Sequence, residues 1–345
     1  MPKTILLIKL GSLGDVLRTT SLLPGLKRTY PKCRIIWIVQ NEGAFSLLKN
    51  NSDIDELYSA KALDLQVFKS RKIDLLINLD EDETAISLAS ALNAQRKMGF
   101  GLNEKKEIMP LNKGSEYAFR LRIDDELKFR KNTLTYPQLI YKTAELEYQN
   151  DQYQLNIPQD EKEFAGSFLK KSGVSKSDFI LGLVTGAGPR FANKSWTIAG
   201  FVELIKQLHQ KTKIKILLLG GPDEIKKYEE IDRQARSLMI PVGCHTTIWQ
   251  LAAFINKCDC VLSGDTAAMH MAVALKKNVV VLFGPTCPQE IDLFGRGIKI
   301  VSDIECAPCY LQVCPKIITC MDKIKVQEVY RAIFKFIPPE KILSR

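Results

Sequence analysis

Short apolar runs alternate along the chain with longer segments in which apolar residues recur at helical spacing. The runs are Thr4–Leu10, Arg34–Gln40, Ile73–Leu79, Phe179–Thr185, Lys213–Leu219 and Asn278–Phe283. Continuous apolar runs are typical of strands buried on both faces of a parallel sheet. Helices are predicted at Val16–Thr29, Gly43–Lys49, Thr84–Leu92, Phe164–Lys171, Ile198–Gln210 and Val326–Phe336. This alternation predicts an α/β fold with parallel sheets.

The pattern breaks once, near Asn156–Lys162, where a proline and several charges interrupt it. A chain of 345 residues is long for a single core, so two domains are expected. We place them at residues 1–157 and 158–325, followed by a last helical segment, 326–345.

The stretch Ser263–Pro288 predicts a βαβ unit with a marked helix start. Asp265 or Thr266 can cap the helix, and the N–H groups of its first turn, with the helix dipole, can bind an anion such as a diphosphate. His270 could donate to a phosphate or sugar oxygen, or pack as a structural histidine on the next strand.

Two further strand ends of the second half carry candidate ligands. Lys194 lies in a strand-to-helix loop, where a lysine suits phosphate, and Glu224 follows the strand Lys213–Leu219, where a carboxylate can accept both hydroxyls of a ribose. Each residue is ordinary alone. Because open α/β domains bind ligands at the carboxyl ends of their strands, these residues and the Asp265 turn together predict a nucleotide-sugar site.

In the first half, Thr4–Leu10 runs into a turn, Gly11–Asp15, that lacks the third glycine of a dinucleotide motif and the lysine of a P-loop. Asp15 is expected to be a helix N-cap, with a substrate-binding carboxylate as the alternative. Asp80–Glu83 is expected to be a solvated helix start, with a cation site as the alternative. The irregular basic segment Lys105–Lys131 is either a solvated surface or a site for an acidic acceptor or headgroup.

Composition adds limits. A net charge of +10 suggests an anionic partner but does not choose among nucleic acid, a phosphorylated metabolite and an acidic membrane surface. No run approaches the roughly 20 apolar residues that span a bilayer, and Lys9 interrupts the first run too early for a signal peptide. Nine cysteines, an odd number, fit a reducing compartment, so a cytoplasmic protein is expected.

Four of the cysteines are closely spaced in the sequence. Cys306, Cys309, Cys314 and Cys320 have the spacing C-x2-C-x4-C-x5-C, which could enclose a structural zinc ion. The nearby prolines Pro308 and Pro315 favour a loop held by packing, and no metal is expected.

Four segments, in order and over nearly the whole chain from Thr4 to Met321, resemble the ADP-heptose:lipopolysaccharide heptosyltransferases of glycosyltransferase family 9. They are IKLGSLGDVLRTTSLLPGLKRTYP, KSW, GGPDE, and DTAAMHMAVAL with the following LFGPTCP. The resemblance implies the GT-B fold, in which two Rossmann-like domains face each other across a cleft. The first domain would bind the acceptor and the second the donor, and the helix near Val326–Phe336 would cross back onto the first domain.

The resemblance also implies roles for single residues. Asp15 matches the presumed catalytic base, Lys194 the lysine that holds the donor diphosphate, and Glu224 the glutamate that reads the ribose. Asp265, Thr266 and His270 match the donor-binding helix start, where Ala267 replaces a glycine found in many members. Arg190 lies where some members supply hydroxyls to the phosphates and could replace them with a charged donor. Candidates on the acceptor side are Ser12, Gly14, Arg120 and Arg122.

The activity implied is an inverting, metal-independent transfer of a heptose from ADP-heptose to an anionic lipopolysaccharide core or lipid A precursor, with no cofactor. Peripheral contact with the cytoplasmic face of the inner membrane follows from such an acceptor. Two other classes stay open: a non-catalytic binder of a nucleotide-sugar or nucleic acid, and another GT-B enzyme such as a nucleotide-sugar epimerase. The absence of a recognised nucleic-acid motif disfavours nucleic acid as a partner.

Overall fold

The chain folds into two compact α/β units. The computed structural model describes residues 3–343, without the side chains of Pro189, Arg190 and Ala192. The first unit comprises the chain up to Asn156 together with Gln289–Asp292, and the second comprises Ile157–Pro288 and the chain from Leu293 onward. The division lies one residue from the boundary placed between residues 157 and 158.

The first unit is built on a six-stranded sheet. Its strands are β1 (Thr4–Ile8), β2 (Arg34–Val39), β3 (Glu56–Ser59), β4 (Leu75–Asn78), β5 (Arg96–Leu102) and β6 (Ile108–Pro110). They lie in the order β3-β2-β1-β4-β5-β6, and all neighbours are parallel except β5 and β6. The order in which successive strands are added to the sheet therefore reverses between β1 and β4. Sheets of this kind bind ligands at such a switch point.

The helices of the first unit are α1 (Leu13–Thr19), α2 (Leu22–Thr29), α3 (Glu42–Leu48), α4 (Leu65–Lys69), α5 (Glu83–Ala91), α6 (Glu116–Ile123) and α7 (Tyr136–Thr143). The single helix expected at Val16–Thr29 is two helices, and the first begins three residues earlier than predicted. The segment Lys105–Lys131 is not irregular, since it contains β6, α6 and a π-helical turn at Leu127–Lys131. These elements are too short for their periodicity to stand out in the sequence.

The second unit repeats this plan with an all-parallel sheet. Its strands are β7 (Ile180–Val184), β8 (Lys215–Leu219), β9 (Ile240–Gly243), β10 (Cys260–Gly264), β11 (Asn278–Phe283) and β12 (Gly297–Val301). They lie in the order β12-β11-β10-β7-β8-β9, so the direction changes between β7 and β10. The predicted α/β class with parallel sheets is confirmed in both units.

The helices of the second unit are α8 (Gln159–Lys171), α9 (Ile198–Lys211), α10 (Ile225–Ala235), α11 (Ile248–Lys257), α12 (Ala267–Ala274), α13 (Cys320–Lys323) and α14 (Val326–Phe334). The last helix packs on α9, β11 and β12, and its residues Val329, Ala332 and Ile333 lie in the core of this unit. The structure therefore assigns α14 to the second unit, whereas the resemblance implied that it would cross back onto the first domain.

Within residues 3–343, no helix combines the length and the apolar content that crossing a bilayer requires.

Candidate active site

In the second unit, the candidate residues surround the point where the sheet changes direction. Lys194 ends the 3-10 segment Pro189–Lys194 after β7, Asp265 follows β10, and Glu224 follows β8. Strand β7 pairs with both β8 and β10, so these three strand ends are neighbours. The sequence places each residue at the carboxyl end of a strand, and the strand order brings the three strand ends together.

Lys194 and Asp265 form a half-buried ion pair at this edge. The Nζ of Lys194 lies 3.0 Å from Oδ2 of Asp265 and donates to its carbonyl oxygen at 3.3 Å. On the other side, Nε2 of His270 lies 3.7 Å from Oδ1 of Asp265. Burial alone would raise the pKa of the Asp265 carboxyl, but the charges of Lys194 and His270 outweigh burial, so this pKa lies below its usual value. Asp265 is therefore a fixed negative charge between the side chains of Lys194 and His270.

The start of α12 lies directly beside this pair. Thr266 is the N-cap, and its Oγ1 accepts from the amide of Met269 at 3.4 Å. A Cβ at Gly264 would lie 2.7 Å from the carbonyl oxygen of Lys194, so glycine permits the lysine loop to approach the strand end. The half-exposed Ala267 is the first residue of the helix. This end of α12 can therefore present backbone N–H groups and a lysine to the same anion.

The carboxylate of Glu224 joins two loops by accepting hydrogen bonds from their backbone amides. Its Oε1 accepts from the amide of Gly188 at 2.9 Å, and its Oε2 accepts from the amide of Gly221 at 2.7 Å. A Cβ at Gly186 would lie 2.0 Å from the carboxyl carbon, so only glycine leaves room for the carboxylate there. The carboxylate is held at the strand edge, and its remaining lone pairs can accept from a ligand hydroxyl.

Lys227, one turn after Glu224, lies under the loop that carries Lys194. Its Nζ donates to Oγ of Ser195 and to the carbonyl oxygen of Trp196, and Ser195 Oγ in turn donates to the carbonyl of Thr185 at 2.6 Å. Burial lowers the pKa of Lys227 to about 8, although the charge of Glu224 opposes that effect. Lys227 is not identifiable from the sequence, because one lysine among several on a charged helix has no distinguishing pattern.

The lowered pKa of Lys227 predicts a specific pH dependence of stability. Between about pH 8 and the ordinary value of 10.5, the unfolded chain binds a proton that the folded unit does not, so the free energy of unfolding should rise with pH. The gain approaches about 3 kcal/mol, at about 1.4 kcal/mol per pH unit. Urea unfolding of the wild type and of Lys227→Met across this range isolates the effect, because the variant should lack this rise.

Lys226→Met is the matched control, because Lys226 is an exposed lysine on the same helix. It should keep the pH dependence of the wild type. A rise of equal size in Lys227→Met would contradict the prediction.

In the first unit, Asp15 is not the N-cap that the sequence favoured. Ser12 caps α1, and Asp15 is the third helical residue, whose Oδ2 accepts from the amide of Ser12 at 3.0 Å and from its Oγ at 2.8 Å. Its Oδ1 accepts from the guanidinium of Arg18 at 2.7 Å. Arg18 stacks on the ring of Tyr136, 3.7 Å from its centroid. The carboxylate is half-buried and held in one orientation by a capping hydroxyl and a stacked cation.

The acidic segment after β4 is only partly the solvated helix start that was predicted. Asp82 does cap α5, accepting from the amides of Thr84 and Ala85. Asp80 is instead buried and paired with Lys9 at the end of β1. The prediction was wrong for Asp80, because the pairing of β1 with β4 that brings the two residues together is not a local feature of the sequence.

The acceptor-side candidates occupy two places. Ser12 is exposed and Gly14 is buried, both at the start of α1 beside Asp15. Arg120 and Arg122 are exposed in the last turn of α6. Arg122 pairs with Glu81, its Nε lying 2.8 Å from Oε2, and Glu81 directly follows the buried Asp80. Arg122 is thereby tied to the edge of the sheet that carries Asp15.

The four closely spaced cysteines between residues 306 and 320 form no disulfide. Among the residues that the structure describes, no group of three or more His, Cys, Asp or Glu side chains is arranged to hold a metal ion. Cys306 is exposed and Cys320 is buried. Burial raises the pKa of the Cys320 thiol to about 11, with further contributions from Cys309 and Cys314.

The structure thus brings Lys194, Asp265, Thr266 and His270 together in the second unit, with Glu224 on the neighbouring strand end. The side chain of Arg190 lies outside the described part of the structure. Sequence reasoning missed Lys9, Arg18 and Asp80 in the first unit. Two of them carried a signal: Lys9 interrupts an apolar strand, and Asp80 directly follows one.

Comparison with known proteins gives a consistent result. The family model described as "Glycosyltransferase family 9 (heptosyltransferase)" matches residues 65–317. The lipopolysaccharide core heptosyltransferase OpsX of Haemophilus influenzae is 25% identical over 314 residues, which cover 88% of this chain and 85% of the relative.

Solved structures show the same fold. A glycosyltransferase family 9 protein from Veillonella parvula has a TM-score of 0.77 at 19% identity, covering 97% of each chain. The ADP-heptose lipopolysaccharide heptosyltransferase II of Escherichia coli has a TM-score of 0.68 at 19% identity, covering 96% of this chain and 98% of that one. With the two Rossmann-like sheets described above, this likeness confirms the predicted GT-B fold class.

Proposed function

The chain belongs to glycosyltransferase family 9, and from that premise we propose that it transfers a heptose from ADP-heptose to a lipopolysaccharide core acceptor. The relatives named above support both substrates, since one is called a lipopolysaccharide core heptosyltransferase and another an ADP-heptose heptosyltransferase. The reaction is proposed to be a single displacement with inversion that needs neither a metal ion nor a cofactor.

The observation that carries the proposal is the cluster around the switch point of the second sheet. Lys194 and the imidazole of His270 lie on the two sides of Asp265, and the amides at the start of α12 follow it directly in the chain, so an anion bound at this helix start meets several donors. These donors are fixed before the substrate arrives. Donors that are preorganised where negative charge develops give the electrostatic stabilisation that is often the largest part of catalysis. We assign the donor diphosphate to this cluster, with Thr266 and Ala267 at the helix start.

Glu224 is proposed to bind the ribose of the donor. Its carboxylate is fixed by the amides of Gly188 and Gly221, and each oxygen retains a lone pair for a hydroxyl. Arg190, in the loop that precedes Lys194, is proposed as a further donor to the phosphates.

Asp15 is proposed as the catalytic base. Its carboxylate takes the proton from the acceptor hydroxyl as the hydroxyl oxygen bonds to the anomeric carbon, while the bond from that carbon to ADP breaks. An aspartate with an ordinary pKa of about 3.9 is a weak base for an alcohol, so the proton is transferred late, when the oxygen has become acidic. ADP leaves with the electron pair of the broken bond, and Lys194 stabilises its charge.

The acceptor is assigned to the first unit. Arg120 and Arg122 on α6 supply positive charge near the sheet edge that carries Asp15, with Ser12 and Gly14 beside the base. An anionic, lipid-linked acceptor fits a chain with a net charge of +10 and implies peripheral contact with a membrane surface.

A donor screen tests the proposal. Release of the nucleoside diphosphate, ADP or UDP, is measured from ADP-heptose, ADP-glucose and UDP-N-acetylglucosamine, each with and without a deacylated lipopolysaccharide core acceptor. We expect release from ADP-heptose that requires the acceptor. Tight binding of nucleotide-sugar without release under any condition would indicate a binding protein, and conversion of a donor without acceptor would indicate an epimerase. Either result would refute the transfer reaction.

A further inference from the structure

A buried ion pair lies at the switch point of the first sheet, between the ends of β1 and β4. The side chains of Lys9 and Asp80 are bonded to each other, and these residues are only 6% and 9% exposed. Lys9 also donates to the carbonyl oxygen of Leu79 at 3.2 Å. The second carboxylate oxygen of Asp80 accepts from the amide of Leu10 and, at 3.1 Å, from the amide of Gly11.

Stability alone does not explain a buried pair of this kind. Removing two charges from water is costly, and well-packed apolar residues of similar size often serve a fold equally well or better. Here the carboxylate also fixes the backbone of two successive residues, Leu10 and Gly11. The next residue along the chain is Ser12, whose amide and hydroxyl both donate to Asp15. A continuous set of contacts therefore runs from Asp80 to Asp15.

We propose that the Lys9–Asp80 pair positions Asp15. The pair orients Asp15 through the Gly11–Ser12 turn, and its two opposite charges act on the Asp15 carboxylate in opposite directions. This role rests on the proposed function of Asp15. Neither residue is assigned contact with substrate, so both are positioning residues. The pair also explains why a lysine interrupts the apolar run Thr4–Leu10, close to the end of β1.

The charged groups around Asp15 determine the direction of the electrostatic effect. Arg18 contacts Asp15 directly and itself interacts with Tyr136, Tyr153 and Glu290. Burial alone would lower the pKa of Lys9, but Tyr136, Asp80 and Asp15 together outweigh burial and raise it. Glu81 interacts electrostatically with Lys9, Arg122 and Lys128, and it pairs directly with Arg122. The ammonium of Lys9 therefore favours the ionised form of Asp15, and the carboxylate of Asp80 offsets it.

Single-charge substitutions test this assignment. Lys9→Met removes the ammonium and should move the titration midpoint of Asp15 upward. Asp80→Asn keeps an oxygen for the amides of Leu10 and Gly11 but leaves Lys9 uncompensated, so it should move the midpoint downward. The midpoint is read by carboxyl carbon-13 NMR of aspartate-labelled protein, with Asp15→Asn to assign the signal.

Both variants should lower kcat with ADP-heptose and a deacylated core acceptor by about ten- to a hundredfold, as misplacement of a catalytic group does. ADP affinity should stay unchanged.

Arg96→Met is the control, because Arg96 forms an ion pair with Glu145 at the start of β5, at the opposite edge of the same sheet. It should leave the titration of Asp15 and kcat unchanged. If Lys9→Met does not fold, Asp80→Asn alone tests the predicted direction of the change in the titration midpoint of Asp15.

An Asp15 signal that titrates as in the wild type in both variants would overturn the inference. Full turnover in Asp15→Asn would instead refute the proposed base, while the NMR shifts would still establish the coupling of Asp15 to the ion pair. The two proposals therefore fail separately.

Discussion

Asp15→Asn should cause a severe loss of turnover while leaving ADP affinity unchanged. Asparagine retains an oxygen that can accept from the amide and hydroxyl of Ser12, so the capping contact at the start of α1 survives. It cannot take a proton from the acceptor. General base catalysis by a positioned side chain is worth about 10²–10⁴-fold, and kcat should fall by about that factor. Steady-state ADP release with the acceptor gives kcat, and calorimetric titration gives the affinity.

The control for this variant is Asp64→Asn. Asp64 also lies at a helix start in the first unit, where it caps α4 by accepting from the amides of Gln66 and Val67. Its replacement removes a similar carboxylate from a similar place and should leave kcat unchanged. Wild-type turnover in Asp15→Asn would exclude Asp15 as the base, and an equal loss in Asp64→Asn would attribute the effect to the fold.

Most inner strands were predictable from sequence because they are buried on both faces. Phe179–Thr185 and Asn278–Phe283 are continuous apolar runs, and the structure has strands at Ile180–Val184 and Asn278–Phe283. Edge strands carry no such run. In β12, for example, Lys299 and Val301 are exposed, so its sequence, Gly297–Val301, mixes polar and apolar positions and was not identified.

The candidate site was predictable in part, for a reason of topology. Lys194, Glu224 and Asp265 were found because a polar residue in the loop that follows an apolar run lies at the carboxyl end of a strand. That rule places each residue singly. It does not say that β7 lies between β8 and β10, and only this order lets Lys194 contact Asp265.

Residues that act through other residues were harder to find. Lys9 and Asp80 are buried and Lys227 is half-buried, and their partners are distant in the sequence, such as Ser195, which lies 32 residues from Lys227. A buried charge without its partner would be costly, so each had to be paired. The identity of each partner follows only from the folded chain. The same local pattern of polar and apolar residues is compatible with many different pairings of the helices and strands.

Lys194→Ala is expected to weaken ADP binding as well as turnover. A hydrogen bond to a charged group contributes about 1.5–3 kcal/mol, so the Kd for ADP should rise about ten- to a hundredfold. Because the contact is ionic, the loss should be smaller at high salt. Lys206→Ala, which removes an exposed lysine from α9, should change neither quantity.

The pairing of Lys194 with Asp265 allows a sharper test of the same variant. Lys194→Ala also leaves the Asp265 carboxylate without its lysine, which could reduce affinity by disturbing the loop rather than by removing a phosphate ligand. A double-mutant cycle with Asp265→Asn separates the two effects. If Lys194 binds the diphosphate, Lys194→Ala should cost the same affinity whether or not Asp265 has been replaced. If Lys194 only neutralises Asp265, the cost should vanish in the Asp265→Asn background, and the assignment of Lys194 to the diphosphate would be wrong.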